Sequence, residues 1–454
     1  MLLEEHLRGG EPAPAGEEFS EEELRDTLGE INESLGRARS QELADDAAYL
    51  PRDVTIGGFQ MGVERHAAGI ERANAQTSLA VSERDQVEAY MDLGEAPELP
   101  PVTEQRLPLP PDLGEMRLDW EPGSFNSWPD DFLWGGIAGA LVHRALHGSH
   151  KLNPEPARVT LEGDARFFLF SDWATGLPRP VLLSSKIRAR LERDRTRPKH
   201  VIHLGDVYYA GWPWEAQDRA LDPWPVPFNS PDLATSWDLN GNHDMYSGGE
   251  GYFKTLLADH RFQQQRSADG EPTSIFELSN DHWLVLGIDS AWNSKRLHTG
   301  TEGDLQPEHV HWIEQAVQGA GERKVLFLSH HQLFSAFDNP TMLADKLGAF
   351  LDEHPIHAWF WGHEHRCAIY KPSASAQVAN ARCIGNGGVP AYVTDASAIH
   401  TQGIVAHDFE QPYAVPYKGR QLVQYGFAIL EFDGPDVNVS YIDEDDNRWH
   451  RESL

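Results

Sequence analysis

Apolar positions along this chain gather in short runs, and several of the runs break on a glycine, an aspartate or a histidine. F-F-L-F ends at Ser171-Asp172, V-I-H-L at Gly205-Asp206, V-L-F-L at Ser329-His330 and W-F-W at Gly362-His363. Runs of this length and bulk predict buried strands, each stopping in a loop that opens with a polar residue. From about Pro156 the pattern alternates strands with helices. Strands are expected at Phe167–Phe170, Val201–Leu204, Ser236–Leu239, Ser274–Leu278, Trp283–Ile288, Val325–Leu328 and His357–Trp361. Helices are expected at Arg179–Arg193, Tyr252–Ala258, Pro307–Gln318 and Thr341–Asp352. A closing set of strands follows at Gln377–Ile384, Gly426–Phe432 and Val437–Tyr441, with Asp433-Gly434-Pro435 as a turn. Alternation followed by a run of strands predicts an α/β protein in four layers, with mixed sheets covered by helices.

Upstream of that pattern the apolar residues thin out. Residues 1–115 read as an acidic extension, partly helical or disordered. A capping box at Ser20–Glu23 opens a helix through about Leu35, a second helical stretch covers Arg65–Met91, and Glu95–Pro111 is a proline-rich linker. Residues 116–157 read as a helical segment packing on the core, centred on Asp130–Leu146. Residues 158–454 form the expected main domain. No internal repeat is visible.

Composition narrows the class. The chain of 454 residues is 40% hydrophobic and carries 14 Trp, 19 Phe and 12 Tyr, which suits a globular protein with a large core. Its net charge of −33 opposes binding to nucleic acid and to anionic membrane surfaces. A phosphate substrate stays possible, because bound cations reverse the sign of a local site. Two cysteines, Cys367 and Cys383, give no disulfide framework, although they could pair. The N-terminus lacks a basic start followed by an apolar segment, and Phe132–Ala145 is too short to span a bilayer. A soluble, cytoplasmic protein is the expectation.

The polar residues at the strand ends carry the candidate chemistry. A lone Gly-Asp after a strand is ordinary turn chemistry. Here Asp172, Asp206, Asn242, His330, His363 and His365 all follow apolar runs, so all fall at strand ends, where α/β folds keep their sites. Carboxylate oxygen, amide oxygen and imidazole nitrogen are what hard and borderline cations take.

In the order D…GD…GNHD…H…GHEH, these residues resemble the calcineurin-like metallophosphoesterase superfamily over about residues 158–445. The resemblance implies its four-layer α/β/β/α sandwich and a binuclear metal centre, with metal-activated hydroxide attacking phosphorus. The first motif reads Asp172-Trp173-Ala174 and lacks the histidine that is usual two residues after the aspartate. Purple acid phosphatases replace it with a tyrosine three residues after the second-motif aspartate, and Tyr209 stands there. The closest resemblance is therefore to purple acid phosphatases, with Gly385-Asn386-Gly387-Gly388 and, more loosely, Gln306…Trp312 in support.

Carried over, one metal would be held by Asp172, Asp206, Tyr209 and His365, and the other by Asp206, Asn242, His330 and His363. The implied pair is iron with a divalent ion (Fe, Mn or Zn), and the implied partner is a small phosphate-ester substrate. His243 would bind phosphate and assist the leaving oxygen, with Asp244 orienting its ring. His203 reads as a hydrogen-bonded core residue, His309 and His311 as surface or packing residues. His331 points at substrate or packs, and His298 lies in a loop that could reach the site. The substrate-side histidine usual beyond the fourth motif is replaced by S-A-F-D-N-P with Asp338 and Asn339, so monoester preference is open. The alternatives are a phosphodiesterase or nucleotide hydrolase on the same centre, or a non-catalytic scaffold of the same fold.

Overall fold

The computed structural model describes Ala140, Arg144 and residues 148–454, apart from 195, 209, 295–302, 338–340, 390, 392–403, 410–411 and 418–419. The helices expected at Ser20–Leu35 and Arg65–Met91, the linker at Glu95–Pro111, and Tyr209, His298, Asp338 and Asn339 lie outside the described residues.

Two sheets carry the fold. The parallel half of the first is β2 (Arg166–Phe170), β3 (Lys199–His203) and β4 (Thr235–Asp238); its antiparallel half is β14 (Gly426–Asp433), β15 (Asp436–Asp443) and β16 (Arg448–Ser453). Its strand order is β16–β15–β14–β2–β3–β4. The second comprises β1 (Ala157–Thr160), β5 (Phe276–Ser279), β6 (Trp283–Gly287), β7 (Lys324–Ser329), β8 (Ile356–Trp361), β9 (Cys367–Tyr370), β10 (Val378–Ile384) and β11 (Val405–Asp408). Its order is β1–β5–β6–β7–β8–β10–β9–β11. β12 (Pro412–Tyr417) and β13 (Arg420–Val423) form a separate pair.

The apolar runs are continuous because the central strands are buried on both faces. In β2, Phe167 and Leu169 pack between the sheets, while Phe168 and Phe170 face the helix α1 (Pro178–Arg193) through Leu183, Ile187 and Leu191. Those three recur every four residues, which lines up one face of the helix. In β7, Leu326 and Leu328 join the inter-sheet core. Val325 and Phe327 face the other way, onto α3 (Pro307–Gln318) and α4 (Met342–Glu353), whose Ile313, Leu343, Leu347 and Leu351 are fully buried. Helix, sheet, sheet and helix are thus the four layers expected. Emptying one such position, Ile187→Ala for example, would cost ~2–5 kcal/mol.

Several expectations need correcting. Within the helix expected at Asp130–Leu146, the described Ala140 and Arg144 are helical; residues 148–156 contain no helix, and β1 begins at Ala157. The helix expected at Tyr252–Ala258 is a wide π-type turn at Gly251–Leu256. β1, β9, β11, β12, β13 and β16 were not expected; most are four-residue or edge strands on which alternation has no length to register. Cys367 packs between the sheets and Cys383 on the helix side of the neighbouring strand, opposite Ala368. Both are therefore free thiols on opposite faces rather than a pair. Among the described residues no helix is long and apolar enough to cross a membrane.

Candidate metal centre

The carboxyl ends of β2, β3 and β4 meet those of β7 and β8 across the inter-sheet core. Backbone geometry marks the spot. Five described non-glycine residues have positive φ, and four of them are Asp172 (54°), Asp206 (77°), His363 (64°) and His365 (50°). This conformation is sparsely populated for residues with a side chain and persists where the surroundings impose it. Two motif glycines are explained by close approach. A Cβ on Gly241 would sit 1.9 Å from Asp206 Oδ1, and one on Gly362 would sit 1.9 Å from Ser171 Oγ.

Asp172, Asp206, Asn242, His330, His363 and His365 are brought together and buried, with none more than 6% exposed. Asp206 lies at the middle. Its Oδ1 is 3.4 Å from His330 Nε2 and accepts the His243 backbone N–H at 3.0 Å, while its Oδ2 meets the Tyr208 hydroxyl at 3.0 Å. Asp172 Oδ1 is 3.4 Å from His365 Nε2, and Asp172 Oδ2 accepts the His363 backbone N–H at 2.8 Å.

Among the described residues, the tyrosine in this cluster is Tyr208. Its hydroxyl stands 3.0 Å from Asp172 Oδ1, 3.0 Å from Asp206 Oδ2 and 2.9 Å from His365 Nε2. A phenol has one proton to give, and here two carboxylate oxygens compete for it beside a ring nitrogen. His330 poses the same problem. Its Nδ1 lies 2.9 Å from the Leu204 carbonyl, which can only accept, so Nδ1 carries a hydrogen. Its Nε2 then faces Asn242 Oδ1 at 3.1 Å, His363 Nδ1 at 3.3 Å and Asp206 Oδ1. The Asn242 amide is pinned the right way round by its Nδ2 donating to the Tyr246 hydroxyl. Electron pairs converging without enough protons between them fit a cation.

The electrostatics agree. Burial opposes a charged His330, yet the Asp206 and Asp172 carboxylates outweigh it and raise its pKa to about 9. Burial likewise opposes the charge on Asp206, and the His330 and His243 rings overcome it, holding that carboxyl well below its ordinary range. Asp172 is lowered too, against its burial, chiefly by His365.

His243 is buried beside the cluster, its ring 4.5 Å from that of Tyr208 and 4.9 Å from that of Tyr246. It begins the short helix α2 (Asn242–Met245) together with Asn242. Asp244 departs from expectation. Its carboxylate accepts the backbone N–H groups of Asp206, Val207 and Gly241, so it ties the β3 loop to the β4 loop, rather than serving as the ring support foreseen for His243. Burial and the neighbouring Asp206 and Asp238 carboxylates push its own pKa well up.

The remaining histidines separate clearly. His203 is a core residue 3.0 Å from Asp238, His309 is buried at 3.3 Å from the Asn153 carbonyl, and His311 contacts Gln315 on the surface. His331 is fully buried next to His363. Gly387 donates its N–H to the Ser171 carbonyl, so the Gly385–Gly388 segment braces the Asp172 loop, whereas Gln306 caps α3 and Trp312 packs in its core. Sequence reasoning did not single out Tyr208; Tyr209, which it named, lies outside the described residues. The backbone role of Asp244 left no signal.

Residues 165–367, which contain every candidate ligand, match the sequence model described as calcineurin-like phosphoesterase. No curated protein matches the chain. Among solved structures, the inner-membrane-complex anchor GAP50 of Plasmodium is 10% identical, with 64% of this chain and 89% of that one covered and a TM-score of 0.46. A cold-active protein-tyrosine phosphatase of Shewanella is 14% identical over 67% and 86%, with a TM-score of 0.28. Vps29 of Entamoeba histolytica is 11% identical over 64% and 98%, also at 0.28. The stretch that carries the candidate ligands, residues 165–367, is thus similar to the calcineurin-like phosphoesterase family.

Proposed function

We propose that the protein is a binuclear metal-dependent hydrolase of small phosphate esters, similar to purple acid phosphatases and acting in the cytoplasm. The observation that carries this is Asp206, whose two oxygens face two separate groups of donors. One group, Asp172, Tyr208 and His365, would hold one ion; the other, Asn242, His330 and His363, would hold a second. Tyr208 is the tyrosine of this reading, and Tyr209, foreseen in that role, lies outside the described residues. Ions bound there, iron with a divalent partner (Fe, Mn or Zn), supply Lewis acidity and make water a nucleophile at neutral pH.

The chain's own residues account for the rest. The His243 backbone N–H fixes Asp206 Oδ1, and its ring binds a phosphoryl oxygen and passes a proton to the departing alkoxide. Asp244 locks the Asp206 and Gly241 backbones together, so the two loops present their oxygens in one geometry. A phosphodiesterase on the same centre is the second reading. It is favoured by Asp338 and Asn339 standing where a substrate-side histidine would recognise a monoester.

Metal analysis with turnover of p-nitrophenyl phosphate and bis(p-nitrophenyl) phosphate tests both. Two ions per chain and faster cleavage of the monoester are expected. Faster cleavage of the diester would select the second reading. A metal-loaded protein inert toward both substrates would mean a scaffold.

A further inference from the structure

We infer that His331 is a third imidazole ligand of the second ion, beside His330 and His363. This rests on the two-ion reading above and extends it to a residue that the family resemblance does not assign. His330, His331 and His363 each offer a ring nitrogen, and these nitrogens lie within 4.8 Å of one another. All three rings are buried, at 0%, 0% and 5% exposure. An ion holding imidazoles at about 2.0–2.1 Å separates their nitrogens by about 3–4 Å. The rings are therefore within a small rotation of a common centre. The His331 centroid is 4.5 Å from that of His363 and 4.8 Å from that of His330.

Two further features seat the ring. Ser290, in the loop after β6, places its Oγ 3.0 Å from His331 Nδ1 and accepts the His331 backbone N–H at 3.0 Å. A hydrogen-bond partner on the outer nitrogen is how proteins orient a metal-bound imidazole and set its tautomer. Ser290 is itself fastened, its carbonyl accepting the Asp304 N–H at 2.9 Å. Gly303, at φ +57°, passes so close that a Cβ there would lie 2.6 Å from the His331 Cβ. Two separate loops thus shape themselves around this one ring.

The consequence is an asymmetric pair of positions. The first has two carboxylates, a phenol and one imidazole, a hard set suited to a ferric or manganous ion. The second has three imidazoles, one amide and the shared carboxylate, a set that favours zinc or ferrous iron over manganese.

The test is metal stoichiometry and competitive Zn²⁺/Mn²⁺ titration of the full-length protein, with the visible spectrum of the Co²⁺-loaded form. In His331→Gln, which keeps the volume of the ring, the first ion should stay. The second should bind at least about 10-fold more weakly, lose its preference for zinc over manganese, and give a changed Co²⁺ spectrum. Ser290→Ala should weaken the same ion by about 10–100-fold, as loss of a supporting partner does. Wild-type protein that binds fewer than two ions would overturn the two-ion reading itself. Wild-type protein with two ions, together with a His331→Gln form of unchanged affinity, selectivity and spectrum, would overturn the role of His331 alone. Circular dichroism identifies a variant that has merely unfolded; in that event Ser290→Ala decides by the same readings.

Discussion

The two sheets make unlike contributions to the centre. In the proposed centre, Asp172 after β2, Asp206 and Tyr208 after β3, and Asn242 after β4 would supply oxygen from the first sheet. His330 and His331 after β7, and His363 and His365 after β8, would supply nitrogen from the second. The halves are stitched across the core: the His330 ring donates to the Leu204 carbonyl, and the His363 N–H reaches Asp172. Neither sheet can assemble the site alone, so the donor set exists only once the inter-sheet core has formed. The oxygen half brings the negative charge, and the nitrogen half brings neutral ligands plus, without metal, a proton on His330. A bound ion would replace that proton and join the two sheets, stabilising the docked state by linkage.

Removing the residue that both halves share should have the largest effect. Asp206→Ala should bind neither ion tightly and turn over at background. A variant retaining two ions and near wild-type rates would show that the centre does not depend on a shared carboxylate.

His243 stands beside the oxygen half without being counted in either. His243→Ala should keep both ions and lose ~10²–10⁴-fold in turnover, with the greater loss on alkyl than on nitrophenyl esters, because a proton matters most to a poor leaving group. Loss of an ion would make His243 a ligand. An equal loss across leaving groups would restrict it to binding phosphate.

Adjacent tyrosines sharpen the oxygen half further. If Tyr208 binds ferric iron as a phenolate, the oxidised protein should show a broad visible charge-transfer band. Tyr208→Phe should abolish the band and Tyr209→Phe should retain it. The opposite outcome would return the role to Tyr209.

How much of this was legible follows from burial. β2, β3, β7 and β8 are covered on both faces, so their apolar runs stand out, and whatever follows such a run sits at the sheet edge. Asp172, Asp206, His330, His363 and His365 are thus recognisable as strand-end residues from the pattern of the chain alone. Strands exposed on one side, or four residues long like β9 and β11, carry too few positions for a period to show. Tyr208 and the amide-binding Asp244 were illegible for a different reason. Their roles are set by which way a loop turns, and sequence spacing is silent on that.

Without metal, the two halves should respond to pH through His330. Its folded pKa of about 9 exceeds the ordinary 6.5. Its protonated form therefore stabilises the metal-free fold fully below about pH 6.5, and that contribution is lost as pH rises through about 9. Chelator-treated protein should show a falling melting temperature over this window, whereas metal-loaded protein should not, because the ion displaces the proton. Parallel curves for the two forms would mean that His330 carries no proton in the metal-free site.

The smallest effect is expected from the largest deletion. Removing residues 1–110, where large apolar side chains at regular spacing are few, should leave a folded protein with unchanged metal content and turnover. The boundary matters because the chain is structural soon afterwards. Arg144 is fully buried; its guanidinium donates to the carbonyl of Met245, the last residue of α2, and to that of Ser294 in the loop after β6. His150 continues the strap, stacking on Phe253 at 4.1 Å and offering its carbonyl to the Trp292 indole. These contacts tie the Asn242–His243 turn to the loop that bears Ser290. Arg144→Met should therefore lower the melting temperature, since it strands buried carbonyls at a cost of ~1–3 kcal/mol apiece. The 1–110 deletion should not lower it. Thermal unfolding of the two variants side by side makes the comparison. A destabilised deletion would place part of the core upstream of residue 111, and an undisturbed Arg144→Met would reduce the strap to a passive cover.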